Sequence, residues 1–157
     1  MKGHILIVGT TGCGKTTLAR QLAIVAIRKG KKVVVFDPMR SQWPEGCLVY
    51  DDERDFSQRA LRTRNSLFII DEAGETIGRS NYEMFWLATR ARHLNAQSVF
   101  ITHRPTQLSN IVRDNCKRVF MFRSTAAVAK MMSEEYTDDN LLAAVDLKTH
   151  EYLVSDR

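Results

Sequence analysis

The stretch Gly9-Thr10-Thr11-Gly12-Cys13-Gly14-Lys15-Thr16 constrains the fold of this chain more than any other, because it matches G-x-x-x-x-G-K-[ST] in the context the motif requires. Ile5 to Val8 before it reads as a buried strand, and Thr17 to Lys29 after it reads as a helix. A glycine-rich turn that matched by chance would lack both flanks. The glycines let the backbone curl so that successive N–H groups and the helix N-terminus, from Gly9 through Thr17, face an anion, and Lys15 brings a positive charge to the β and γ positions of a bound nucleotide. Thr16 is left to ligate Mg²⁺.

The rest of the chain alternates strand and helix signals. Leu18, Leu22 and Val25 share a face of the first helix, which closes at Lys29-Gly30 with a cationic last turn and a glycine beyond it. Lys32 to Phe36 is a β-branched run of the kind buried on both faces in a parallel sheet. Met39 to Gly46 has turn composition, Cys47 to Tyr50 is a short strand, and Asp51 to Arg62 a polar helix. Ser66 to Ile70 is the next buried strand. Ser80 and Glu83 make an S-x-x-E capping box that predicts a helix through about Leu94. Ser98 to Thr102, a short helix around Gln107 to Arg113, and Arg118 to Phe122 follow. The tail predicts helices at Met131-Met132 and Leu141 to Val145, and a strand at Tyr152 to Val154. Alternation of this kind predicts an α/β fold: three layers, a mostly parallel sheet with helices on both faces.

At 157 residues and 44% apolar composition the chain can bury one core, so residues 1–157 are expected to form a single domain. Residues 1–130 carry 21 basic and 11 acidic side chains, whereas residues 131–157 carry 2 and 7. A basic body therefore bears an acidic C-terminal piece of the same domain, and the body permits nucleic-acid binding without requiring it. Three scattered cysteines exclude a disulfide framework or a zinc cluster and fit a reducing cytoplasm. No run approaches 18 apolar residues, so a soluble protein without a membrane partner is expected.

Asp71 and Glu72 end a central strand, where an open α/β sheet places its ligand site. An adjacent acid pair can divide two tasks. Asp71 would hold Mg²⁺ opposite Thr16, and Glu72 would orient and polarise the water that attacks the γ-phosphate. Basic side chains cluster further on, at Arg90, Arg92, His93, His103 and Arg104. The first three suit a helix C-terminus, but His103 ends a strand aimed at the same crevice as Asp71.

Leu87-Ala88-Thr89-Arg90-Ala91-Arg92, Phe100-Ile101-Thr102-His103-Arg104-Pro105 and Arg118-Val119-Phe120-Met121-Phe122-Arg123-Ser124 resemble the second half of the FtsK/HerA superfamily of DNA-pumping ATPases. With the glycine-rich loop and the acid pair, the resemblance runs from about residue 4 to 124 and implies a RecA-like ASCE P-loop NTPase fold. It implies ATP and Mg²⁺ as ligands, with Lys15 and Glu72 catalytic. His103 takes the position of a γ-phosphate sensor that is glutamine in the FtsK branch, and the viral and Zot-like branches are similar in carrying histidine before Arg-Pro. An arginine finger acting in a neighbouring subunit is implied at Arg92, with Arg90 as second choice; such a finger typically contributes about 10³ to 10⁵ in rate. The implied assembly is a homo-oligomeric ring, a hexamer or pentamer, around double-stranded DNA.

Unlike the larger members, the sequence shows no N-terminal barrel, membrane anchor or winged-helix domain. That favours a minimal motor similar to the viral genome-packaging ATPases, with capsid or portal partners, in the host cytoplasm or on the virion. Phosphate-gripping candidates are Arg40, Arg54, Arg59, Arg62, Arg64 and Arg79, with Trp43 as a pore-loop aromatic; Phe85, Trp86, Met131 and Met132 read as packing residues. Two alternatives stand beside this reading. One is a Zot-like ATPase that moves a protein or virion cargo; the other, opposed by Glu72 and Arg92, is a P-loop kinase.

Overall fold

The computed structural model describes residues 3–78 and 81–157. Its elements are β1 (His4–Val8), α1 (Lys15–Arg28), β2 (Lys32–Phe36), β3 (Cys47–Tyr50), α2 (Glu53–Leu61), β4 (Ser66–Ile70), α3 (Ala73–Thr76), α4 (Trp86–Thr89), β5 (Ala96–Thr102), α5 (Asn110–Asn115), β6 (Cys116–Met121), α6 (Ala126–Tyr136) and β7 (Leu153–Asp156). The strands form one sheet in the order β3-β2-β4-β5-β1-β6-β7. Every pairing is parallel except that of β6 with β7. The α/β fold expected from the alternation of apolar runs is therefore the one observed.

β1 and β4 are buried along their whole length, and the pleat sends alternate residues to different layers. Leu6, Val8, Phe68, Ile70 and Phe100 pack with α2, α4, α5 and α6 on one face. Ile5, Ile7, Leu67, Ile69, Val99 and Ile101 pack against Leu18, Ala19 and Ala23 of α1 on the other. Because β1, β4 and β5 run parallel, the residues that follow all three emerge along one edge of the sheet, and that edge carries the candidate site.

The predicted helix through Leu94 is broken. A 3₁₀ turn at Tyr82–Met84, the single turn of α4, and a second 3₁₀ turn at Ala91–Leu94 take its place. The strands beneath compete for its carbonyls: Ser98 Oγ donates to Leu87 O at 2.7 Å, and buried His4 hydrogen-bonds to the backbone of Ala88. Thr89 Oγ1 donates back to Phe85 O at 3.1 Å, a bond that bends helices. Ser80 of the predicted capping box, like Arg79, lies outside the described residues. In the tail, the Leu141 to Val145 helix is a 3₁₀ helix over Asp139–Asp146, and the Met131-Met132 helix is α6.

Candidate active site

The glycine-rich loop is fixed from two sides. Gly9 N–H donates to Thr102 O at 3.3 Å, at the end of β5, and Thr10 N–H to Arg123 O at 2.9 Å, just past β6. Gly14 stands at the N-cap of α1 with φ of 110°, a conformation that side chains rarely adopt. Gly9 is required for space, since a Cβ there would lie 2.6 Å from Phe122 Cβ and 2.7 Å from Cys13 Sγ. Within this curl the Lys15 ammonium donates to Gly9 O at 2.7 Å and Thr10 O at 2.8 Å, which holds its charge over the loop.

Across from the loop, Thr16 Oγ1 donates to Asp71 Oδ2 at 3.3 Å, and Glu72 N–H donates to Asp71 Oδ1 at 2.9 Å. Asp71 is 6% exposed. Burial, reinforced by the charges of Asp37 and Glu72, pushes its carboxyl up to about 6 against the Glu72 and Thr16 hydrogen bonds. A buried carboxylate facing a hydroxyl is an all-oxygen pair suited to Mg²⁺, which takes one or two protein ligands and completes its shell with water and phosphate. A bound cation would also restore the ionised form of Asp71.

Glu72 has φ of 51°, left-handed for a residue with a side chain, and this sharp turn out of β4 lifts its carboxylate clear of the sheet. Glu72 Oε2 lies 3.7 Å from His103 Nδ1, with the two side chains 37% and 34% exposed. Water and a substrate oxygen can therefore reach both. A cleft of about 480 Å³ opens beside them, lined by Thr10, Thr11, His103, Arg104, Thr125 and Met131 among others.

Lys15 and Thr16 at the start of α1, and Asp71, Glu72 and His103 just past β4 and β5, thus lie along one edge of the sheet. Arg90 and Arg92 do not join them. Both are exposed and precede β5, and the charge of Arg92 is felt by His4 at the start of β1. One strand length, roughly 16 Å at 3.3 Å per residue, separates that edge from the chain's own loop. Arg113, another arginine of this region, is buried and bound to Glu135 Oε1 at 2.9 Å, Leu108 O at 2.7 Å and Asn110 Oδ1 at 2.8 Å.

Among the phosphate-gripping candidates, Arg54, Arg62 and Arg64 are exposed on or just after α2, Arg59 donates to Tyr50 Oη at 2.9 Å, and Arg40 pairs with Asp51. Trp43 is not presented as a loop aromatic. Its indole N–H donates to Asp37 Oδ2 at 2.9 Å, and Arg20 lies over its ring. Sequence reasoning also missed Asp37, which is fully buried at the end of β2 and accepts from Met39 N, Ser41 N and Trp43. Its place after an apolar strand, like that of Asp71, was the available signal.

This loop, acid pair and strand order define the fold of a P-loop ATPase, and the chain resembles the FtsK/HerA-like ATPases. The family model for the central domain of helicase HerA matches residues 1–40. Among solved structures, B204, the DNA-packaging ATPase from Sulfolobus turreted icosahedral virus, superposes with a TM-score of 0.78 at 17% identity, over 98% of this chain and 92% of that one. The conjugation coupling protein TcpA of pCW3, with ATPγS, gives 0.66 at 15% identity over 98% of this chain and 57% of that one. The N-terminal domain of zonular occludens toxin from Neisseria meningitidis gives 0.55 at 17% identity over 76% of each. No curated protein sequence matches significantly.

Proposed function

We propose that this chain hydrolyses ATP and uses the energy to drive double-stranded DNA, as a ring of identical subunits, into a viral capsid. The observation that carries hydrolysis is the meeting of Glu72 and His103 at 3.7 Å opposite the glycine-rich loop. Glu72, half-exposed on its left-handed turn, orients the attacking water and accepts its proton. Lys15 leaves the loop carbonyls to neutralise the β- and γ-phosphates, and His103 donates to a γ-phosphate oxygen as a sensor of its presence. Mg²⁺, when bound, would spread charge across the same phosphates, and Thr16 and Asp71 are the residues that would hold it. The nucleotide-binding set is Gly9 through Thr17.

Arg92, exposed at the far edge of the sheet, acts in a neighbouring subunit in this reading, and Arg90 is the next choice. Support for DNA as cargo comes from the basic body and from Arg54, Arg62 and Arg64, exposed on or just after α2. Such a surface grips phosphates without reading bases. B204 is itself described as a genome-packaging NTPase, and TcpA as a conjugation coupling protein. Capsid or portal proteins would be the further partners, in the cytoplasm of an infected cell.

Likeness to the zonular occludens toxin domain favours one second reading, in which the same ATPase moves a protein or virion cargo. No helix of the described residues is long and apolar enough to cross a membrane. Recovery of a membrane-bound partner with the protein would favour that cargo. The direct test is steady-state ATPase activity with and without duplex DNA, below and above the concentration at which the protein assembles. Stimulation by both is expected, and stimulation by neither would sink the motor reading.

A further inference from the structure

The sheet order gives a direction to the bound nucleotide. Glu72 and His103 follow β4 and β5, on one side of β1, so the γ-phosphate lies toward that side. The loop cradles the α- and β-phosphates, so the nucleoside leaves the other way, past Gly14 and Thr17, over the ends of β6 and β7.

At that point the C-terminal piece folds back onto the loop. Lys148 N–H donates to Glu151 Oε2 at 2.8 Å and Glu151 N–H to Lys148 O at 3.1 Å, closing a tight turn. The turn is tied to the loop by His150 N–H, which donates to Cys13 O at 2.9 Å. His150 holds φ of 68°, in the left-handed region. Its ring lies against Gly14, where a Cβ would be 2.6 Å from His150 Nδ1 and 3.2 Å from Phe122 Cε1. Tyr152 anchors the turn from below, with ring centroids 5.5 Å from Phe120 and 5.3 Å from Phe122. The result is an exposed imidazole, held in a disfavoured backbone conformation, beside the path of the nucleoside.

We propose that the His150 imidazole is the stacking wall for the nucleobase, and that the 148–151 turn is the nucleoside-binding element of the site. This rests on the ATPase reading above. A flat ring reads the π-face of a base and not its edge, so ATP and GTP should bind with similar affinity.

The test compares ADP with inorganic tripolyphosphate, which offers phosphates without a base. His150→Ala and His150→Gly should weaken ADP about 5- to 150-fold, the effect of losing one base–aromatic stack, and leave tripolyphosphate unchanged. His150→Phe should restore ADP binding. Equal loss of both ligands would show that His150 only buttresses the loop, and no loss of either would place the base elsewhere; each outcome overturns the proposal. In the unaltered protein, ADP but not tripolyphosphate should shift the His150 ring protons upfield, and equal shifts would likewise overturn it. Failure of the unaltered protein to bind ADP, ATP or tripolyphosphate would instead remove the ATPase reading, and this one with it.

Discussion

His103 Nδ1 and Glu72 Oε2 stand 3.7 Å apart at the ends of adjacent parallel strands, a separation no direct hydrogen bond spans. Both side chains are therefore available to a third group between them, which in the proposed reaction is the attacking water or the γ-phosphate. Glu72→Gln keeps the shape and removes the base. Nucleotide affinity by calorimetry should stay within a few-fold of the unaltered protein, while single-turnover hydrolysis falls by about 10² to 10⁴.

Lys15 separates binding from chemistry in the opposite sense. Among the described residues its ammonium is held by loop carbonyls and the Cys13 sulfur, so Lys15→Ala should fold normally. ATP at a hundred times its Kd should stabilise the unaltered protein by about 2.7 kcal/mol and the variant by close to nothing, as read by thermal denaturation.

Arg92 lies about one strand length from its own loop, and in the proposed mechanism it acts in a neighbouring subunit. Arg92→Ala alone should lose about 10³ or more in hydrolysis rate. Mixed with subunits carrying Glu72→Gln, it should regain activity, because each partner supplies what the other lacks. Full activity of Arg92→Ala would move the assignment to Arg90.

His4 predicts a pH dependence of stability. Burial chiefly, with the Arg92 charge adding to it, lowers its pKa below 6.5, against the Ala88 hydrogen bond. The folded chain keeps His4 neutral where the unfolded chain takes up a proton, so the unfolded state binds more protons as pH drops below 6.5. Stability contributed by neutral His4 is present above that value and is lost as pH falls toward the folded pKa. Denaturant midpoints should decline over that range. His4→Phe should flatten this contribution and, by stranding the Ser98 N–H that His4 Nδ1 accepts at 2.9 Å, cost about 1 to 3 kcal/mol at neutral pH.

The strands were legible because a parallel sheet buries both faces, and runs such as Val33-Val34-Val35 have no other favourable place. Lys15 was legible from the glycine-rich loop motif, and Asp71, Glu72 and His103 for a related reason: each sits just beyond a strand end, and parallel strands bring such ends to one edge. What failed depended on contacts between distant segments. Nothing near Leu87 foretells that Ser98 will take its carbonyl and break the helix, and nothing near His150 foretells Gly14. Trp43 read as a free aromatic because its partner, Asp37, is buried only once β2 is in the sheet. The position of Arg92 at the far edge required the direction of β5 as well as its existence.

In the proposed function, hydrolysis at this site moves the chain along duplex DNA. Displacement of a triplex-forming oligonucleotide from a duplex by the assembled protein tests it most directly. Displacement is expected with ATP, and none with a non-hydrolysable analogue or with Glu72→Gln subunits. ATP hydrolysis by the assembled, DNA-bound protein without any displacement would contradict it.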